Sequence, residues 1–414
     1  MSSQIVSCGH SNDELLSVEQ AQNALLDNVN RVTEIKQKTL LESLGQVLAA
    51  DVASLIDVPG FDNSAMDGYA IAIGDNPVLP LRFKVSQRIP AGAIGESLES
   101  GCAARIFTGA PIPQGTDAVV MQEEVQVSDN DIEINRLINS GENIRPQGND
   151  IARNDIILPA GQLLGPQHIA LAASVGLATL PVYRKLRVGV FFTGDELVQP
   201  GTPLKDGQIY NSNRYAITSL LTNLGCEIQD LGNVPDTLNA TCKALELLAH
   251  DCDLIMTTGG VSVGEEDHVK PAVAKLGSLS LWRIAMKPGK PLAFGAVGET
   301  PFVGLPGNPV SAFVTFLLFA RPLILKIQGI NDFFPRTTQV RTDFDWHRCK
   351  SRREFVRVRV DTAGTEPIAS LFPKQGSDVL SSMAWADGLV VINEEQTFSK
   401  GEWVTFIPFC GVLT

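Results

Sequence analysis

The 414-residue sequence carries 46 acidic and 33 basic side chains, a formal net charge of −13, and 44% hydrophobic residues. That length exceeds one ordinary core and implies roughly two to four domains, with enough apolar material for sizeable interiors. The acidic balance argues against a nucleic-acid partner, because neutralising a phosphate backbone takes a basic face and the longest basic run is Lys350-Ser351-Arg352-Arg353.

Seven cysteines (Cys8, Cys102, Cys226, Cys242, Cys252, Cys349, Cys410), odd in number and without a C-x-x-C pair, fit free thiols in a reducing compartment. Five histidines without metal-ligand spacing argue against a structural zinc site. The opening residues, MSSQIVSCGHSNDELL, lack the basic and apolar regions of a secretory signal. The most apolar stretch, Val310 to Leu325, falls short of the roughly 20 residues a membrane span needs and is interrupted by Arg321-Pro322. A soluble cytoplasmic protein is the expectation.

In chain order, Ser17-Val18-Glu19-Gln20 reads as a capping box opening a helix to about Val29, with Val18, Ala21, Leu25 and Val29 near one face. A short helical piece is expected over Leu40 to Leu48. Phe61 to Ala70, FDNSAMDGYA, is dense in turn formers and carboxylates and reads as a loop entering a new domain. From Leu81 to about Asn135 the signals are β, with strands at Ala118 to Gln122 and ahead of Gly109. Val125, Val127, Ile132 and Ile134 alternate around an Asp129-Asn130-Asp131 turn. Gly141 to Asp150 looks like a boundary, and Leu163 to Leu177 like a helix ended by glycine.

After Arg184 strands and helices alternate, the signature of a parallel sheet with crossover helices. Strands are expected at Leu186 to Phe192, Cys226 to Leu231, Asp253 to Thr258 and Phe302 to Leu305. Helices are expected at Ser212 to Leu224, with Gly225 as the glycine just past its end, at Leu238 to Ala249, and after Asn308-Pro309, an N-cap followed by proline at the first helical position. From about Pro335 the pattern returns to β, with Phe355, Arg357, Arg359 and Val356, Val358, Val360 on alternate sides of one strand, and later strands at Leu389 to Ile392 and Trp403 to Ile407.

Three loops in the α/β part share a design: Thr193-Gly194-Asp195-Glu196, Gly259 to Asp267, and Gly304-Leu305-Pro306-Gly307-Asn308. Each follows a strand expected to run parallel to the others, so all three should meet at the carboxyl edge of the sheet, where such folds bind ligands. Acids Asp195, Glu196, Asp236 and Asp267 arrive there, and Lys287 and Lys290 follow in MKPGKP. Open amides, acids and lysines at one edge suit a nucleotide phosphate held with Mg²⁺. Each residue also has a plainer role: Asp67 before Gly68 fixes a turn, Thr108 before Gly109 ends a strand, Asp195-Glu196 and the lysines are solvated, and Asn308-Pro309 caps a helix.

The motifs FDNSAMDGYA, RIFTGAPIP (Arg105 to Pro113), TGDELV (Thr193 to Val198), TTGGVSVGEED (Thr257 to Asp267), MKPGKP and GLPGNPVS (Gly304 to Ser311) together resemble the MoeA family of molybdopterin molybdotransferases, related to the gephyrin E domain. The resemblance implies a multidomain α/β and β fold. Residues 1–54 with 146–184 would form an elongated N-terminal α/β region and 55–145 an inserted β-rich domain. Residues 185–331 would form a parallel α/β (MogA-like) nucleotide-binding domain and 332–414 a small C-terminal β-barrel.

It also implies a transferase that inserts molybdate into adenylylated molybdopterin and releases AMP, with Mg²⁺, as a homodimer whose site is shared between subunits and which receives its ligand from the adenylyltransferase. Carried over residue by residue, Asp67, Thr108, Glu196, Asp236 and Asp267 are the catalytic candidates, with Asp236 and Asp267 on the metal. Gly259, Gly260, Ser262, Gly264, Lys287, Lys290, Gly307 and Asn308 would hold the ligand, and Lys287, Lys290 and Arg105 are candidates for the molybdate. Two departures occur: Asn211 stands where the family often has Asp, and Ser351 where it often has Gly. The rival readings are a molybdopterin adenylyltransferase or nucleotide pyrophosphatase, and a noncatalytic scaffold.

Overall fold

The structure is a computed structural model and describes residues 15–74, 78–260 and 268–413. Backbone proximity divides the chain into two compact units: the described part of Met1–Lys36 with Gly45–Ala49 and Val182–Thr414, and Gln37–Leu44 with Ala50–Pro181.

The first unit opens on the helix Val18–Asp27. Ser17 Oγ accepts from the Gln20 amide at 3.1 Å and Gln20 Oε1 from the Ser17 amide at 2.8 Å, so the expected capping box is closed. The sheet of this unit orders its strands Glu227–Val234, Arg187–Thr193, Leu254–Thr258, Thr300–Leu305, Pro291–Val297 and Gly277–Arg283. The first four are mutually parallel, as the sequence pattern implies. The last two are not simple continuations: Pro291–Val297 runs antiparallel to Thr300–Leu305, and Gly277–Arg283 antiparallel to it in turn. The four strands expected from the sequence thus form the parallel part, and two further antiparallel strands make the whole sheet mixed. The reason is a short connection, Gly298-Glu299, with Gly298 at φ 57°, which permits a tight hairpin where a helical crossover would need a dozen residues.

Leu254, Met256, Val303 and Phe192 bury one face of this sheet against the helix Val18–Asp27 and the helical run from Pro309, while Phe191, Ile255 and Phe302 bury the other against the helices Leu238–Asp251 and Val269–Leu276. Burial on both faces is why the strands read as continuous apolar runs. The helix Ser212–Asn223 ends as anticipated. Gly225, at φ 71°, donates to Thr222 O at 2.9 Å, and the next amide, Cys226, to Leu221 O at 3.1 Å.

One expectation about the apolar stretch fails. Helical structure continues from Pro309 through Ile327, and Arg321-Pro322 does not break it. Phe316–Ala320 widens into a π-turn just before the proline, which relieves the ring's crowding of the preceding turn. Pro322 has no N–H to give Leu318 O, and Gln22 of the first helix donates to that carbonyl instead, Nε2 to O at 2.8 Å. Among the described residues this is the helix long and apolar enough to cross a membrane, yet 83% of its most apolar window is buried inside the protein.

The C-terminal part forms a closed five-stranded barrel in the order Arg353–Asp361, Ile368–Leu371, Thr338–Thr342, Trp403–Pro408 and Gly388–Ile392, the last pairing back to the first. Val340, Val356, Val358, Val390, Val404 and Phe406 fill it. The short strand Met286–Lys287 joins its rim, parallel to Arg353 and Glu354.

The second unit is built on a sheet ordered Ala118–Met121, Gly68–Ile71, Cys102–Ile106, Leu81–Ile89, Asp131–Ile134 and Gln126–Ser128. Three local expectations are corrected here. Only Leu41–Ser43 is helical in the piece expected over Leu40 to Leu48, as a 3-10 turn: Thr39 Oγ1 binds Glu42 Oε2 at 2.8 Å, Ser43 Oγ binds Thr39 O at 2.9 Å, and Gly45 turns left-handed. The helix expected from Leu163 begins at Pro166 and ends at Ser174, because proline seats at the first helical position. Gly68-Tyr69-Ala70, expected in a loop, is a fully buried strand. A Cβ at Gly68 would lie 1.9 Å from Val120 O, so glycine here marks a close strand approach instead of a turn.

Candidate active site

The four parallel strands deliver Val234, Thr193, Thr258 and Leu305 to one edge, with Thr193 paired to Val234 and Thr258 to Leu305. Beyond them the chain turns on Gly194 (φ 138°), Gly259 (φ 81°) and Gly260 (φ 64°), conformations that a side chain would strain. The Gly259 amide donates to Leu305 O at 3.0 Å, and a Cβ at Gly307 would lie 3.5 Å from Gly259 Cα, so two of the three anticipated loops abut. Asn213, in the first turn of the helix Ser212–Asn223, links them: its Nδ2 donates to Gly307 O at 2.7 Å and Thr258 Oγ1 at 3.3 Å.

Glu196 and Asp236 follow adjacent strand ends. Glu196 is exposed and folds back, its Oε2 2.6 Å from where a Gly194 Cβ would stand, and Asp236 is half-buried just ahead of Thr237, the N-cap of the next helix. Ser262, Gly264 and Asp267, with Glu265 and Glu266, lie outside the described residues.

Asn211 is 1% exposed. Its Oδ1 caps the helix by accepting from the Arg214 amide at 3.1 Å, and its Nδ2 donates to Asn233 Oδ1 at 2.7 Å, while Asn233 Nδ2 donates to Leu197 O. The position needs an acceptor and a donor at once, which asparagine supplies and an aspartate lacks.

The lysine loop enters the same edge, because Pro291–Val297 starts where Thr300–Leu305 ends. Lys287 Nζ sits 3.6 Å from the buried Glu354 Oε2, and Lys350 Nζ 2.8 Å from the other oxygen. Desolvation lowers the Lys287 amine from its ordinary value against the pull of Glu354. Lys290 is half-buried and makes no ion pair with a described residue, so it is the less compensated cation.

The barrel also reaches this edge, which the sequence reading missed. Ser377 O accepts from the Val310 amide at 3.0 Å, and Ser377 Oγ from Asn308 Nδ2 at 3.2 Å, so Asn308 occupies the N-cap position with its side chain turned to the barrel. The Gln375–Ser377 turn is held by Arg357, whose Nε donates to Ser382 Oγ and whose NH2 group donates to Gly376 O, both at 2.9 Å. Arg357 is 1% exposed, and burial pushes it down to about 10. Its alternation with Phe355, which faces the core, was the available signal.

In the second unit Asp67 and Thr108 do meet. Asp67 Oδ1 accepts from the Thr108 amide at 2.8 Å and from Thr108 Oγ1 at 2.9 Å, joining the turn before Gly68–Ile71 to the turn after Cys102–Ile106. These two bonds, then the Arg105 charge, hold the Asp67 carboxyl below its usual value despite some desolvation, so it stays an anion and an acceptor.

Three family descriptions match in chain order: "MoeA N-terminal region (domain I and II)" over residues 16–176, "Probable molybdopterin binding domain" over 189–326 and "MoeA C-terminal region (domain IV)" over 339–409. A molybdopterin molybdenumtransferase of Haemophilus influenzae is 40% identical over 96% of this chain and 100% of its own length. The chain belongs to the MoeA family. A molybdopterin molybdenumtransferase 2 of Mycobacterium tuberculosis is 37% identical over 86% of the chain and 90% of its own length. The crystal structure of a molybdopterin biosynthesis moeA protein from Pyrococcus horikoshii superposes with a TM-score of 0.83 at 29% identity, covering 95% of this chain and all of that one. The MoeA fold thus accounts for the combination of α/β sheet, β-rich unit and closed barrel.

Proposed function

We propose that this MoeA-family chain is a molybdopterin molybdenumtransferase that inserts molybdate into adenylylated molybdopterin and releases AMP. The observation that carries the reading is the 40% identical relative of that name, matched over its whole length. The abutting glycine turns at the carboxyl edge support it, since turn amides such as those of Gly260 and Gly307 suit a phosphate.

Among the described residues no group of three or more His, Cys, Asp or Glu side chains could enclose a metal. The donors available at the edge are carboxylate oxygens, which fit a Mg²⁺ shared with substrate phosphate and not a resident all-protein cage. Asp236 and Asp267 would hold it, and when bound it would supply charge neutralisation for the departing phosphate. Glu196 would orient water at the same edge. Lys290, helped by Lys287, would bind the molybdate dianion. Asp67, held ionised by Thr108, would accept from donor edges of the pterin from within a homodimer whose site draws on both copies. Handover of the ligand from the adenylyltransferase, in the cytoplasm, belongs to the same reading.

The test uses the full chain with purified adenylylated ligand and molybdate, reading AMP released and molybdenum incorporated across a Mg²⁺ titration. Asp267→Ala and Asp236→Asn should each lower turnover by roughly a hundredfold, the scale of removing one electrostatic partner of a transition state. Unchanged turnover at limiting Mg²⁺ sinks the metal assignment. Adenylylation of metal-free molybdopterin from ATP would favour the adenylyltransferase reading, and sedimentation as a monomer would remove the shared site.

A further inference from the structure

The strand Leu81–Ile89 carries a bulge with a consequence for the surface beside Asp67. It pairs in parallel with Cys102–Ile106, and the register shifts between Val85 and Gln87, so Val85 faces Ala103 while Arg88 faces Arg105. Without the extra residue, Arg88 would have pointed to the opposite face. The bulge re-aims it onto the face that Tyr69, directly across from Arg105 on the other side, shares with the apolar residues Ile71, Ala103 and Val120.

Two arginines directly opposite each other on neighbouring strands repel, and like charges in that position weaken a sheet. No ion pair with a carboxylate offsets them among the described residues; Asp67, whose carboxyl feels the Arg105 charge, is already held by Thr108. What surrounds them is aromatic: Arg88 Cζ and Arg105 Cζ each lie 4.6 Å from the centre of the Phe107 ring, and Arg105 Cζ lies 5.2 Å from that of Tyr69. Arg105 is fixed by donating to Gly68 O at 2.7 Å and to Gln122, while Arg88 is exposed and its guanidinium donors face solvent. In a chain of net charge −13, a bulge that builds a cationic pair without an ion-paired carboxylate on an aromatic platform is an arrangement for an anion.

We infer that Arg88 and Arg105 form a binding site for a tetrahedral oxyanion, either a free one or the phosphoryl group of an organic ligand. The bulge in Leu81–Ile89 sets Arg88 across from Arg105, and each guanidinium packs on the Phe107 ring. The inference rests on the proposed reading in one respect: Thr108 follows Phe107 directly, so an anion here would lie beside two residues assigned to the reaction.

Calorimetric titration of the full chain with sodium molybdate and with phenyl phosphate tests it, comparing the parent with Arg88→Gln and Arg88→Lys after confirming their native circular dichroism. Loss of one charge-assisted contact should weaken binding of the true ligand type by roughly tenfold or more in Arg88→Gln, with Arg88→Lys in between because it keeps charge and loses the fork. Weakening confined to phenyl phosphate assigns an organic phosphoryl group, weakening confined to molybdate assigns the free oxyanion, and weakening of both supports the shared chemistry. A parent that binds neither probe, or an Arg88→Gln that binds both as the parent does, overturns the inference. Molybdenum insertion assayed on the same parent preparation separates the two ideas: its absence sinks the transferase reading whatever the titrations give, and its presence beside unchanged titrations sinks only the arginine pair.

Discussion

Replacing Gln22 by alanine should destabilise the first unit through a residue far away in sequence. Pro322 leaves Leu318 O without the donor that a helix would provide, and Gln22 Nε2 fills that role at 2.8 Å. An orphaned buried acceptor costs about 1–3 kcal/mol. Gln22 is only half-buried, so water can recover part of that, and alanine gains a few tenths in helix propensity; the net expectation is about 1–2 kcal/mol. For a unit of this size each kcal/mol lowers Tm by roughly 2–4 °C. The assay is thermal and urea unfolding followed by tryptophan fluorescence. All four tryptophans, Trp282, Trp346, Trp385 and Trp403, belong to this unit, so the signal ignores the other. The decisive control is Pro322→Ala, which restores an N–H for Leu318 O. In that background Gln22→Ala should cost less than about 0.5 kcal/mol, and an equal cost in both backgrounds would refute the role assigned to the proline.

Asn211→Asp should lower the midpoint of urea unfolding by the equivalent of about 1–3 kcal/mol, through loss of its donor to Asn233, and the deficit should shrink as pH falls towards protonation of the new carboxyl; a neutral effect at pH 8 contradicts the donor–acceptor argument. Gly68→Ala should cost about 1–3 kcal/mol or more, read as faster hydrogen exchange in Cys102–Ile106 and Ala118–Met121, since the Val120 carbonyl that blocks the Cβ is backbone and cannot swing aside; parent-like protection would refute it. The half-buried Asp253 feels desolvation as its largest single influence, which raises it, but the Arg184 bonds, the Arg187 amide and the charges of both arginines together hold it below its ordinary value. Its contribution is therefore complete above the unfolded value of about 3.9 and disappears as pH falls through the folded value. Arg184→Gln should flatten the loss of stability on acidification in that window, and an unchanged acid limb would exclude the pair as its source.

What was legible in the sequence followed from local rules. The capping box at Ser17, the glycine after Asn223 and the proline after Asn308 mark helix ends through chemistry confined to a few neighbouring residues. Motif order revealed the family, and strand-loop-helix alternation placed Glu196, Asp236, Gly259 and Gly307 at one edge. What stayed hidden depends on partners distant in sequence. Arg321-Pro322 reads as a breaker unless Gln22 is known to lie against Leu318, and Gly68 reads as a turn unless Val120 is known to crowd it. Lys287 reads as a free cation until Glu354 is found beneath it, and Arg357 reads as a solvated strand residue until the Gln375–Ser377 turn closes over it. Arg88 could not be set beside Arg105 without the bulge, since simple alternation puts it on the wrong side of the strand.

The rim strand Met286–Lys287 gives the barrel a second duty. One end of the barrel grips the lysine loop through its pairing to Arg353 and Glu354, while the Gln375–Ser377 turn of the same barrel closes the start of the Pro309 helix. A tilt of the barrel against the sheet would carry both fixtures together, so the cations and the helix entrance are geared to a single lever. Cutting the chain after residue 331 would consequently not prune an accessory module. It would release the lysine loop from its anchor and uncap the helix that lines the same edge.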